Sequence, residues 1–248
     1  AAANVLIGLD GDDTYYVDTL DAIVEAADGG HDTAVVMGAS HTLADHVENL
    51  VIAESAGSAS GTGNAQNNIL TGNSSSNRLD GVAGDDTLRG GAGDDTYVVD
   101  SLLDVIEDSQ GYDTVETSGS HTLGSDLENL VLTGSAAVSG TGNALNNTLD
   151  GTQNTAANVL AGGLGDDHYL LGAGDAVIEN ADEGTDWVHA AFSHTLGSNI
   201  EGLVLVGTDA ADATGNALDN HLEGNSASNV VDGGAGADTM HGMAGDDT

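Results

Sequence analysis

One nonapeptide, repeated in unbroken phase, constrains this chain more than any other feature. Residues 63–116 read GNAQNNILT, GNSSSNRLD, GVAGDDTLR, GGAGDDTYV, VDSLLDVIE and DSQGYDTVE. The sixth place is always Asn or Asp: Asn68, Asn77, Asp86, Asp95, Asp104, Asp113. The eighth is a large apolar residue or Tyr: Leu70, Leu79, Leu88, Tyr97, Ile106, Val115. An oxygen-bearing side chain and an apolar anchor at one short fixed period build a stack that grows along an axis, with no single closed core. Stacked acidic oxygens repel one another, so the seams of such a stack need a cation.

The charge balance makes the same demand. There are 41 acidic residues against 2 basic ones, a formal charge of −39. Nucleic acid and anionic membrane surfaces are poor partners, since both need Lys/Arg patches, and no apolar run is long enough for membrane insertion. A bare fold this acidic repels itself, yet 39% hydrophobic content in regular Leu, Val and Ile positions argues against permanent disorder. Folding that depends on bound cations fits both facts. Cys and Pro are absent; there is no disulfide framework, and no position forbids a strand ladder bond. The chain starts and stops in mid-repeat: Asn4 falls where Asn77 stands, and Thr248 stops where Tyr97 follows Thr96 in the parallel segment. We therefore expect a piece of a longer protein.

A longer repeat lies above the nines, with landmarks at Asn4, Asn77, Asn158 and Asn229, at Tyr15, Tyr97 and Tyr169, and at the SHTL motifs of His41, His121 and His194. It divides a single continuous solenoid, 1–248, into stretches of approximately 1–76, 77–157, 158–228 and a partial 229–248. After each SHTL the apolar spacing changes, as in Leu43, Val47, Leu50, Ile52 and again in Leu123, Leu127, Leu130, Leu132. The opening spacing suits a helical turn and the closing alternation a strand. We expect further coils here without the glycine loops, a helical insert being the alternative.

The pattern GGxGxDxUx, with U a large apolar residue, is the nonapeptide of calcium-binding parallel β-helices. Residues 90–98, 162–170 and 233–241 match it, and 242–248 begin another with Met243 at the second glycine place. Residues 8–16 and 81–89 depart at that place, with Leu9 and Val82. These nines resemble the RTX (repeats-in-toxin) family, the β-roll of proteins exported by bacterial type I secretion. The resemblance implies an all-β, right-handed parallel β-roll or β-helix solenoid with calcium-binding turns, two nines to a coil, of roughly 14 coils. Ca²⁺ takes about six to eight hard oxygens, which glycine-rich turns and Asp side chains supply.

The family's site resembles carbonyls at places two and four plus the sixth-place Asp of one loop, with carbonyls at places one and three plus the Asp of the loop one coil on. Carried over, one site uses Val82, Gly84 and Asp86 with Val99, Ser101 and Asp104. A second uses Gly91, Gly93 and Asp95 with Asp108, Gln110 and Asp113. In the first and third long repeats a residue is inserted, so Asp13 to Asp32 and Asp167 to Asp186 are 19 apart instead of 18, and calcium is expected there too. On the amide side Asn68 faces Asp86, with Gly81 and Ala83, and Asn77 faces Asp95, with Gly90 and Ala92. Asn220 likewise faces Asp238, with Gly233 and Ala235, and Asn229 faces Asp247, with Gly242 and Ala244. Asn offers an oxygen but no charge, so these mixed seams are weaker calcium sites or stacked amide ladders.

Other residue types point away from catalysis. No HExxH zinc motif and no GxSxG nucleophile elbow occurs. His41, His121 and His194 recur once per long repeat, as corner residues do. Scattered acids such as Asp45, Glu54 and Asp209 read as solvated surface. The expectation is a non-enzymatic, calcium-stiffened structural repeat segment of a large secreted bacterial surface or matrix protein, extracellular and attached to the cell surface. The resemblance also allows the C-terminal β-roll of a secreted toxin, hydrolase or epimerase. A third reading is a self-assembling filament or surface-layer subunit, associating end to end.

Overall fold

The computed structural model describes residues 2–248, and residue 1 lies outside them. Short strands alternate with turns, one 3-10 turn spans Glu54–Ala56, and no α-helix occurs among the described residues. The strands pair in parallel, each with the strand one coil on, and the chain makes about 13 turns of β-solenoid. The count falls below the expected one because several coils are longer than two nines, as where Leu50 pairs with Leu70 and Leu149 with Tyr169. The chain resolves into two compact units, Ala1–Thr117 and Ser118–Thr248.

In the first unit one wall stacks Tyr15, Ala34, Leu50, Leu70, Leu88 and Ile106 in register. The other stacks His41, Gly61, Leu79, Tyr97 and Val115. Consecutive nines thus deliver their eighth-place anchors to opposite walls, because each nine makes half a coil. Period two then sorts each strand: Thr96–Val99 buries Tyr97 and Val99 and turns Thr96 and Val98 outward. Leu50, Leu70, Leu79, Leu88 and Tyr97 are wholly buried. Each contributes on the order of 1.5–3 kcal/mol of apolar burial.

The SHTL stretches are coils. Ser40–Thr42, Asn49–Ile52 and Ser60–Thr62 all pair in parallel with solenoid strands. Leu43 and Val47 keep their wider spacing because a turn, not a helix, brings both into the core.

The second unit repeats this plan over Leu130, Leu149, Tyr169, Val188, Leu203, Leu222 and Met240. Coil length varies there: the step from Val188 to Leu203 is shorter than two nines, and the step from Leu149 to Tyr169 is longer. The strand register survives because the turns absorb the difference.

Candidate metal centre

One hydrogen bond recurs at the turn seams. The backbone N–H of a sixth-place residue donates to Oδ1 of the carboxylate one coil on: Asn77 to Asp95 (2.6 Å), Asp95 to Asp113 (2.7 Å), Asn68 to Asp86 (2.7 Å) and Asp86 to Asp104 (3.0 Å). The pairs with the inserted residue make the same bond, Asp13 to Asp32 at 2.8 Å and Asp167 to Asp186 at 2.9 Å. So do Asn220 to Asp238 and Asn229 to Asp247, both at 2.9 Å. The insertion is therefore no obstacle to the seam.

This bond engages Oδ1 of the accepting carboxylate and does not involve its Oδ2. Oδ2 of Asp13, Asp32, Asp86, Asp95 and Asp167 is buried with no hydrogen-bond partner. An ionised carboxylate oxygen in that state is costly unless a cation meets it. The chain's two basic side chains are engaged elsewhere, Arg78 with Glu116 at 2.7 Å and Arg89 with Glu107 at 2.6 Å. Countercharge for the seams must come from solution.

At three seams a third carboxylate joins the pair. Asp13 and Asp32 gather Glu25, Asp95 and Asp113 gather Asp108, and Asp167 and Asp186 gather Glu179, with ligand atoms within 4.8 Å of one another in each group. A tyrosine hydroxyl from the eighth place donates to the third carboxylate every time: Tyr15 to Glu25, Tyr97 to Asp108, Tyr169 to Glu179. The glycine at place one makes the room. A Cβ on Gly90 would collide with the Tyr97 hydroxyl and with the carboxylates of Asp95 and Asp108, and Gly8 and Gly162 are crowded in the same way by their own aspartate and tyrosine. Sequence reasoning offered Asp108 only as a backbone carbonyl ligand and missed Glu25 and Glu179. The usable signal was Tyr at the eighth place of the nines carrying Asp13, Asp95 and Asp167, where neighbouring nines carry Leu.

Asp104 behaves differently from Asp113. Its Oδ1 accepts from Asp86 N–H and its Oδ2 from Ser101 N–H, the latter also at 3.0 Å. The Ser101 carbonyl accepts from Asp104 N–H, and Val99 lies inside the strand Thr96–Val99. The turn after Tyr97 thus follows the count of nine without the shape of a glycine loop. Asp21 and Asp175 are held in the same way, by Asn4 and Asp18 and by Asn158 and Gly172. These carboxylates cap backbone donors.

The asparagine seams are closed by hydrogen bonds. Asn68 Oδ1 accepts from Asn64 N–H at 2.7 Å, and its Nδ2 donates to the carbonyls of Val47 and Glu48. Asn77, Asn220 and Asn229 spend their amides similarly. The amide nitrogens are thus spent on backbone carbonyls of the preceding coil. In the glycine-rich Asp nines the place-two backbone keeps its shape with or without glycine: Leu9, Val82 and Met243 adopt the left-handed φ (81°, 69° and 72°) that Gly91 and Gly234 also have.

Burial governs the electrostatics. Loss of hydration pushes Asp86 and Asp95 up to about 6, Asp186 to about 6, Asp167 to about 7 and Glu179 to about 8. The seams continue into glutamates the sequence did not mark. Asp32 N–H donates to Glu48 and Asp186 N–H to Glu201. His41 and His194 are pushed down by burial, as suits corner residues kept neutral. On the outer face of the second unit His221, Glu223 and His241 also converge, with His221 Nε2 3.1 Å from Glu223 Oε1.

Hard oxygen donors, orphaned buried carboxylate atoms and glycine-lined cradles fit a bound calcium ion at the three-carboxylate groups. Fold and seams together define a class: a parallel β-solenoid of nonapeptide coils with acidic turns. Residues 1–19, 62–97 and 214–248 match the RTX calcium-binding nonapeptide repeat (4 copies), which supports the resemblance of these stretches to the RTX repeat family. The comparison with curated proteins returned no match. RTX repeats occur in secreted bacterial proteins, and no described helix is long and apolar enough to cross a membrane.

Proposed function

We propose that this chain is a calcium-stiffened structural segment of a large secreted bacterial surface or matrix protein. The observation that carries the reading is the set of buried, unpartnered Asp oxygens at seams that no basic side chain reaches. Calcium would be held at Asp13/Asp32, Asp95/Asp113 and Asp167/Asp186, with a weaker site at Asp86, where Asp104 caps the backbone and is no ligand, and amide ladders at the Asn seams. Without the ion, like charges face one another across each seam and the coils have little reason to close. With it, binding free energy becomes folding free energy. A chain of this kind passes an export channel unfolded where calcium is scarce and stiffens outside, where calcium is plentiful. Nothing in the reading calls for a catalytic centre. Circular dichroism should show a mostly unfolded chain in chelator and a β-rich one in millimolar Ca²⁺. The same β spectrum under both conditions would overturn the proposal.

A further inference from the structure

We propose that the three groups of two aspartates, a third carboxylate and a tyrosine form a separate class of strong hard-cation site, one in each long repeat. The inference rests on the calcium reading above and adds which sites dominate it and which side chains set their strength. Its first support is recurrence. Glu25, Asp108 and Glu179 sit in different local sequences, yet each reaches the Asp pair of its own coil and each meets a tyrosine hydroxyl. Glu25 and Glu179 follow Asp13 and Asp167 at the same offset, whereas the shorter Asp108 stands one place further from Asp95. Side-chain length and chain offset change while the meeting point is kept.

The second support is that buried oxygens point into these groups without partners. Asp32 and Asp167 are 0% exposed, Asp95 1% and Glu179 8%, and each has a carboxylate oxygen that no donor meets. Three carboxylates give a formal charge of −3, one more than the bare Asp pair. Ligand charge count is a main determinant of calcium affinity, and an all-oxygen set of this charge favours calcium and trivalent lanthanides over softer metals. The phenol acts as a positioning group that holds the third carboxylate toward the pair. At Asp86 the eighth-place residue is Leu88, no phenol is present, and the partner Asp104 is spent on backbone donors.

Terbium luminescence tests this, because a bound Tb³⁺ glows when a nearby phenol is excited. In the full chain carrying Trp187→Phe, Tyr excitation should give strong Tb³⁺ emission that calcium competes away. Glu25→Gln, Asp108→Asn and Glu179→Gln should each remove about a third of that emission. Together they should raise the calcium midpoint of folding by about tenfold or more. Tyr97→Phe should weaken its site less than Asp108→Asn, and Asp104→Asn should leave the emission unchanged. If the triple variant fails to fold, the single variants still decide the matter. Emission and calcium midpoint unchanged in the carboxamide variants, with calcium binding intact in the parent chain, overturn the inference alone. No calcium-linked folding in the parent chain overturns the calcium reading beneath it.

Discussion

Two seams of the first unit stand one nonapeptide apart, and they differ in what their carboxylates do. At Asp95 and Asp113 a third acid, Asp108, turns in beside them under the Tyr97 hydroxyl. At Asp86 and Asp104 the lower aspartate gives both oxygens to backbone N–H groups, and only Asp86 keeps an orphaned atom. Both pairs obey the two-nine spacing equally well. The lesson is that phase places a carboxylate in a seam, while the following turn decides whether it faces a cation or caps the chain.

The comparison is broken most forcefully by substitution. Asp95→Ala removes a charge from the three-carboxylate group and leaves Asn77 N–H without its acceptor, a loss of about 1–3 kcal/mol from the unpaired donor alone. Its calcium midpoint, followed by circular dichroism, should rise by about tenfold. An unchanged midpoint would count against the assignment. A smaller effect comes from pH. The folded-state values of Asp95, Asp167 and Glu179, about 6, 7 and 8, stand above their ordinary values of 3.8, 3.8 and 4.5. Their contribution to metal-free stability is therefore fully present below about pH 4 and lost as pH rises through 6 to 8. In chelator, acidification from pH 8 to 5 should increase β structure and raise Tm, while weakening calcium binding by competition. A Tm that falls over this range would contradict the burial argument. The smallest effect belongs to Asp104→Asn, which should cost about 1–2 kcal/mol with or without calcium, because it loses charge-assisted backbone bonds. A large calcium-specific loss, measured by paired melts, would make Asp104 a ligand after all.

Much of this was legible in the residues. The sixth and eighth places marked seam and core, and the fixed count of nine assigned alternate anchors to opposite walls. The SHTL stretches could be read as coils from Asn49-Leu50-Val51-Ile52, whose alternation holds in the structure. Legibility failed where backbone shape and count part company. The nine beginning at Val99 keeps its Asp in phase, but Val99 extends a strand and the glycine loop never forms. The third carboxylates were hidden for another reason. They lie at unequal offsets and differ in length, so no fixed-spacing pattern contains them. Only the fold shows that Glu25, Asp108 and Glu179 arrive at equivalent places. The inserted residue at Asp13/Asp32 and Asp167/Asp186 breaks the count of two nines, but the turn absorbs it and the N–H to Oδ1 bond is kept.

The most direct test of the central claim is an anomalous difference map of the chain crystallised in calcium. The account requires an ion among the oxygens of Asp95, Asp108 and Asp113 at about 2.3–2.6 Å, with matching ions at the other two three-carboxylate groups. Peaks there should exceed any at Asp86, and the Asn68 and Asn77 amides should keep their carbonyl bonds. Empty three-carboxylate groups, or stronger peaks at Asp86/Asp104, would contradict it.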